Sequence, residues 1–130
     1  MNNPSLLIVD DEEDFVSTMM KRLRRRSVPC QAAHNGSAAI DSVRKGNFDA
    51  VLLDMGLPDM DGNSVLREIK RIKPEIRVLI LTGQASVVTG EKGLAEGAAE
   101  YLLKPVEFEI LISKLLAGNE EQARGSPEPS

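Results

Sequence analysis

The chain predicts an α/β fold, a parallel sheet wrapped by helices on both faces, and three observations carry that reading. Short apolar runs such as Ser5–Val9, Phe48–Leu53 and Arg77–Leu81 stop abruptly at polar or turn residues, as buried strands do. The stretches between them repeat apolar residues every three or four positions, as amphipathic helices do. The two kinds of segment alternate along the chain, which is the pattern of successive βαβ units with right-handed crossovers.

The elements follow in order. Ser5–Val9 reads as a fully buried first strand that ends at Asp10-Asp11. From Asp11 to Arg26 the period turns helical, with Phe15, Val16, Met19, Met20 and Leu23 on one face. Glu12, Glu13 and Asp14 fall in its first turn and Lys21, Arg22, Arg24, Arg25 and Arg26 in its last, the distribution that the helix dipole favours. That basic cluster therefore reads as a solvated helix end rather than a nucleic-acid patch. Val28–Ala33, opened by Pro29, is a weaker second strand suited to an edge, and Cys30 within it reads as a small buried hydrophobe. Asn35-Gly36-Ser37 is a turn that can cap a helix from Ser37 to Lys45, closed by Gly46-Asn47. His34 is the only histidine, and no nucleophile or second ligand is organised around it.

Phe48–Leu53 is the third strand and runs straight into Asp54. A helix near Ser64–Ile72 turns Val65, Leu66, Ile69 and Ile72 inward and stops at Lys73-Pro74. Arg77–Leu81 is the fourth strand, ending on Thr82-Gly83. Ala85–Glu96 is the next helix; Gly90 and Gly93 each weaken it by about 1 kcal/mol relative to Ala, which makes it a candidate for the element that moves. Glu100–Leu103 is the fifth strand, closed by Lys104-Pro105. In the last helix, Val106–Leu116, Phe108, Leu111, Ile112 and Leu115 face inward, while Ile110 and Leu116 widen the apolar stripe toward a partner. From Gly118 on, the chain reads as a tail rich in breakers.

Composition narrows the function. The 130 residues suit one domain, and a net charge of −4 argues against nucleic-acid binding by bulk charge. A single cysteine forms no internal disulfide, so a reducing cytoplasm is the expected compartment. No apolar run approaches the roughly 20 residues a membrane span requires.

The chemistry gathers at the strand ends. Asp10 and Asp11, Asp54, Thr82 and Lys104 follow strands one, three, four and five, and a parallel sheet brings all such ends to one edge. Two carboxylates about 5 Å apart repel by roughly 3 kcal/mol at an effective dielectric near 20, so three together call for a cation. Oxygen ligands with room for water suit magnesium, and the lysine and hydroxyl then face anionic oxygens. A carboxylate nucleophile beside a divalent ion and a lysine is equipment for forming an aspartyl phosphate, and Asp54 is the expected nucleophile.

As a set, Ile-Val-Asp-Asp-Glu, Leu-Leu-Asp-x-x-Leu-Pro-x-Met-Asp-Gly, Leu-Thr-Gly and Gly-Ala-x-x-Tyr-Leu-x-Lys-Pro resemble the response-regulator receiver domain of bacterial two-component signalling, over Ser5 to Leu116. The resemblance implies a flavodoxin-like sheet of order 2-1-3-4-5 with five helices, residues 1–117 forming the receiver and 118–130 a flexible tail or the start of a linker. It implies that Asp54 takes a phosphoryl group from a histidine on a sensor kinase or phosphotransfer protein. Magnesium is then ligated by Asp11, Asp54 and the Gly56 carbonyl, with Asp10 acting through a water. Lys104 pairs with the phosphate, and its bond to Pro105 is expected cis. Thr82 and Tyr101 match the family's switch pair, which remodels the surface of the fourth helix, fifth strand and fifth helix. Met55 and Gln84 stand where the family tunes the lifetime of the phosphoryl group.

The expected partners beyond the kinase are a downstream protein or output domain, with a phosphorylation-dependent homodimer left open. The resemblance implies no enzyme beyond self-phosphorylation and dephosphorylation, and neither membrane nor direct nucleic-acid contact. No output segment is legible after Leu116, which fits either a stand-alone regulator or an excised receiver. A haloacid-dehalogenase-like phosphatase needs a second Asp two residues after the first, where this chain has Gly56. A dinucleotide site lacks its Gly-x-Gly-x-x-Gly after a strand. A binding module of the same fold that ignores phosphate is the third alternative.

Overall fold

The computed structural model describes residues 4–83 and 87–124, with side chains described for all of these but 87–90 and 118–124. Along the chain come β1 (Leu6–Val9), α1 (Glu13–Arg25), β2 (Cys30–Ala33), α2 (Gly36–Lys45), β3 (Ala50–Asp54), α3 (Gly62–Ile72), β4 (Arg77–Thr82), α4 (Val87–Ala95), β5 (Glu100–Leu103) and α5 (Phe108–Arg124). The strands form one five-stranded sheet, β2-β1-β3-β4-β5, and every pairing is parallel. That is the doubly wound flavodoxin-like order, which reverses direction between β1 and β3.

Alternation within each strand feeds two separate cores. Leu7, Val9, Val51, Leu53, Val78 and Ile80 point to the side covered by α2 and α3, where Ala39, Ile40, Val43, Val65, Leu66 and Ile69 meet them. Leu6, Ile8, Leu52, Leu79 and Leu81 point to the other side, against Val16, Met19 and Leu23 of α1 and Leu111, Ile112 and Leu115 of α5. Burial on both faces is why these strands are apolar throughout rather than alternating. All four residues of β1 are fully buried, whereas edge strand β2 buries only Ala33.

Several boundaries depart from expectation for local reasons. α2 starts at Gly36, one residue early, because Asn35 is the N-cap and its side chain accepts from the Ala38 N–H at 2.8 Å. β3 includes Asp54, which stays in register opposite Leu81. α5 runs to Arg124 rather than stopping at Leu116. Its added residues include Glu120, Glu121, Gln122 and Ala123, all good helix formers, and the next proline is Pro127. The start of the fourth helix at Ala85, and the chain from Gly125 on, lie outside the described residues.

Three readings of particular side chains change. The basic end of α1 is not simply solvated: Arg22 and Arg26 both pair with Glu109 of α5, and Arg22 also lies 5.0 Å over the Phe108 ring. Phe108 in turn stacks on Phe15 at 5.4 Å, so α1 and α5 are joined by rings and charges together. Leu116 packs on the α1–α5 core, leaving Ile110 as the exposed member of that expected stripe. Gly93 of α4 does more than weaken a helix, because a Cβ there would collide with the Ile80 side chain of β4. α4 ends in a Schellman cap: Gly97 has φ +113, its N–H donates to the Leu94 carbonyl, and the Ala98 N–H reaches the Gly93 carbonyl at 3.0 Å.

A test of the packing around the β3–α3 connection is Gly62. A Cβ there would lie 2.7 Å from the Met55 Cα and 2.9 Å from its carbonyl oxygen, both backbone atoms that cannot swing aside. Gly62→Ala is expected to cost about 1–3 kcal/mol in urea unfolding, the range for an overpacked site.

Candidate functional site

The sheet register delivers the strand ends to one another. Val9 lies opposite Leu53, so Asp10 emerges beside Asp54, and Thr82 lies opposite Leu103, so Lys104 emerges just beyond it. The Asp10 N–H donates to the Ala33 carbonyl, the Met55 N–H to the Leu81 carbonyl and the Lys104 N–H to the Thr82 carbonyl. Asp10 and Lys104 are thus held by the first backbone bond past their strands, while Asp54 and Thr82 are the last residues of β3 and β4. The Lys104–Pro105 bond is cis, as the resemblance implies.

Asp10, Asp11 and Asp54 offer carboxylate oxygens that all lie within 4.8 Å of one another, with Asp10 and Asp54 buried and Asp11 exposed. The Lys104 ammonium stands 3.1 Å from Asp54 Oδ1, and the Gly56 N–H donates to that same oxygen at 3.2 Å. Asp10 Oδ1 accepts the Glu12 N–H at 2.9 Å, while Asp10 Oδ2 is buried with no hydrogen-bond partner in the structure. A buried carboxylate oxygen left unpaired is costly, and this one lies in a group of carboxylates with the spacing of cation ligands. The donor set is oxygen only and partly open, which fits a hard divalent ion such as magnesium.

Electrostatics record the crowding. Desolvation pushes the Asp10 carboxyl from its usual 3.8 up to about 6; the Glu12 N–H bond draws it down, the charge of Asp54 pushes it up, and Lys104 offsets part of that. For Lys104, partial burial favours the neutral amine, but the hydrogen bond and charge of Asp54, with Asp10 and Glu12 behind it, hold the ammonium above its ordinary range.

Thr82 is buried at the end of β4, and its hydroxyl donates to the Gly83 carbonyl at 3.0 Å. Tyr101 sits on the same sheet face as Ile80, half-buried against the α2–α3 core. Gly56 is exposed in the loop after Asp54. Gln84 lies outside the described residues.

Two neighbours escaped the sequence reading. His34 Nδ1 lies 3.1 Å from the Asp10 carbonyl oxygen, so that ring nitrogen carries the hydrogen. Asp59 accepts the Gly36 N–H at 2.7 Å and the Ser37 N–H at 3.0 Å, and these bonds hold its carboxyl below the usual range. Both contacts join residues more than twenty positions apart, and neither has a local signal; the one hint for Asp59 is that an Asn-capped helix still leaves donors unsatisfied.

Residues 6–116 match the response regulator receiver domain family. The chain belongs to that family. Among curated relatives, the transcriptional regulatory protein ZraR of Escherichia coli K12 is 38% identical over 114 residues, covering 88% of this chain and 26% of that protein. The uncharacterised transcriptional regulatory protein YkoG of Bacillus subtilis is 32% identical over 117 residues, 90% of this chain and 51% of its own length. The chain therefore spans between about a quarter and a half of these relatives. Among solved structures, a CheY-like receiver domain protein from Methanospirillum hungatei superposes with a TM-score of 0.88 at 26% identity, covering 94% of this chain and 98% of that one. A response regulator from Burkholderia pseudomallei, described with a phosphorylated aspartic acid, a calcium ion and citrate, gives 0.81 at 30% identity, over 95% of this chain and 74% of that one.

The raised Asp10 carboxyl makes a stability prediction. Between pH 3.8 and about 6 the folded receiver keeps a proton that the unfolded chain releases, so stability falls as pH rises through that window. Without divalent ions at neutral pH, the loss is on the order of 2–3 kcal/mol. Asp10→Asn, which cannot ionise, is expected to melt higher than wild type at about pH 7.5 and nearly level with it at about pH 4. Added magnesium should raise the melting temperature of wild type and leave the variant almost unmoved.

Proposed function

We propose that this receiver is a phosphorylation-controlled switch in which Asp54 accepts a phosphoryl group from a phosphohistidine on a sensor kinase or phosphotransfer protein. The observation that carries the reading is the junction of three mutually close carboxylates with Lys104 on Asp54 at the sheet's C-terminal edge. An Asp54 oxygen attacks phosphorus, an O–P bond forms, the P–N bond to imidazole breaks, and the histidine leaves with the electron pair. Asp11, Asp54 and the Gly56 carbonyl would hold magnesium, with Asp10 acting through a water, and the ion would supply charge neutralisation on the transferring oxygens. The phosphorylated aspartate and calcium ion described for the Burkholderia relative support both assignments.

Lys104 changes partner in this scheme. Its ammonium, now 3.1 Å from Asp54 Oδ1, moves to a phosphoryl oxygen once that carboxylate has become an acyl phosphate. Thr82 gives up the Gly83 carbonyl and donates to another phosphoryl oxygen. The space it leaves admits the half-buried Tyr101, and the α4–β5–α5 surface is remodelled. Leu94, Leu103 and Ile110 are exposed on those three elements and supply apolar contact for a downstream protein, an output domain or a second copy.

The receiver acts as a signalling domain, its only chemistry being its own phosphorylation and dephosphorylation. Its relatives are named transcriptional regulators and are matched over only part of their length, and the net charge of −4 argues against direct nucleic-acid contact by this segment. Among the described residues no helix is long and apolar enough to cross a membrane, and the cytoplasm is the proposed setting.

Incubation with a small phosphodonor and magnesium, followed by intact mass, tests the acceptor. Wild type is expected to gain one phosphoryl group that chelator abolishes, and Asp54→Asn to gain none. An equal gain in Asp54→Asn would move the acceptor to another carboxylate. No gain in wild type despite bound magnesium would favour a binding module indifferent to phosphate.

A further inference from the structure

We infer that Asp59 is a positioning residue for the cation site: it ties the loop that presents the Gly56 carbonyl to the N-terminus of α2. This rests on the magnesium-assisted reading above. In the sequence motif Leu-Leu-Asp-x-x-Leu-Pro-x-Met-Asp-Gly, Asp59 fills an open position, so the motif itself assigns it no task.

The donors come from α2. A helix cannot satisfy its first N–H groups internally. Asn35 takes the Ala38 N–H at 2.8 Å, which leaves those of Gly36 and Ser37. Both go to Asp59, one on each carboxylate oxygen, at 2.7 and 3.0 Å. Two bonds to one carboxylate fix its orientation as well as its distance, and the negative charge sits at the positive end of the helix dipole. α2 is itself anchored on the sheet through buried Ala39, Ile40 and Val43, so Asp59 is moored to a rigid element.

The loop between β3 and α3 is held at both ends as well. At its start the Met55 N–H is bonded to the Leu81 carbonyl and the Gly56 N–H to Asp54 Oδ1. At its end Gly62 lies so close to Met55 that a Cβ would sit 2.7 Å from the Met55 Cα. Between these points Leu57 and Met60 lean on the core, but apolar contact is not directional. The bonds of Asp59 are directional, and they set the rotation of the peptides from Gly56 to Met60. Gly36 permits the approach, since a Cβ there would lie 2.8 Å from Val65 Cγ2 and 2.9 Å from the Met60 sulfur. A ligand carbonyl on an irregular loop stays aimed only if outer groups hold that loop.

The test titrates magnesium alone into wild type, Asp59→Ala, Asp59→Asn and Asn35→Ala by calorimetry, with circular-dichroism melts and amide spectra of the Gly56 region. Asp59→Ala is expected to weaken magnesium about tenfold, the low end for outer-shell residues, and to shift the Gly56 amide. Asp59→Asn keeps one acceptor oxygen and should recover part of the affinity. Asn35→Ala removes the other α2 cap without touching the loop; it should lower the melting temperature but leave magnesium affinity within twofold of wild type. Asp59→Ala with wild-type affinity and an unmoved Gly56 amide would overturn the inference, as would an equal loss of affinity in Asn35→Ala. Should Asp59→Ala fail to fold, the comparison of Asp59→Asn with Asn35→Ala decides on the same criteria. Failure of wild type itself to bind magnesium would instead overturn the reading on which the inference stands.

Discussion

Mutual repulsion among Asp10, Asp11 and Asp54 is the constraint on which the rest of this molecule depends. Three carboxylate groups within 4.8 Å raise the energy of the fold wherever no cation balances them. The protein holds them there because β1 and β3 are adjacent, parallel and fully buried, so neither strand end can retreat. Lys104, just past β5, offsets part of the charge, while the Asp10 carboxyl is lifted chiefly by burial, with the charge of Asp54 adding to it. Such a site favours whatever brings positive charge to it, which suits the divalent ion proposed for it.

The two faces of the sheet are built differently. On one side α1 and α5 are joined by the Phe15–Phe108 stack and by Glu109 between Arg22 and Arg26. These exposed ion pairs add little stability singly, but together with stacked rings they fix how the helices lie. On the other side α2 and α3 flank the loop after Asp54, with Gly36 and Gly62 allowing close approach where a side chain would not fit. Gly93 of α4 lies against Ile80 of β4, where a Cβ would collide with the Ile80 side chain. In α3, Val65, Leu66 and Ile69 are buried in the core they share with α2.

The strand order and the convergence at one edge were legible because they follow from periodicity and from the single rule that parallel strands share their C-terminal side. Asp10, Asp11, Asp54, Thr82 and Lys104 each stand at a strand end, so chain position alone brought them together. Asp59 and His34 were not legible, since their partners are backbone groups far along the chain and no spacing announces them. The basic end of α1 is exposed as read, but its pairing was not legible: Arg22 meets Glu109 only because α5 packs beside α1. Of the two residues that widen the α5 stripe, Ile110 is exposed and Leu116 packs partly buried on the α1–α5 core, because a helix's exposed arc depends on what it packs against.

By itself the sequence determined the alternation of elements, the acidic edge and the residue types that could serve a cation and a phosphoryl group. Those are properties of local pattern and of chemistry, and they survive without coordinates. Only the tertiary structure decided which donor meets which acceptor: Lys104 on Asp54, an unpaired oxygen on Asp10, and the Asp59 carboxylate across the start of α2. Those contacts depend on distances of about 3 Å between distant segments, and hydrogen bonds lose their strength within a few tenths of an ångström beyond that.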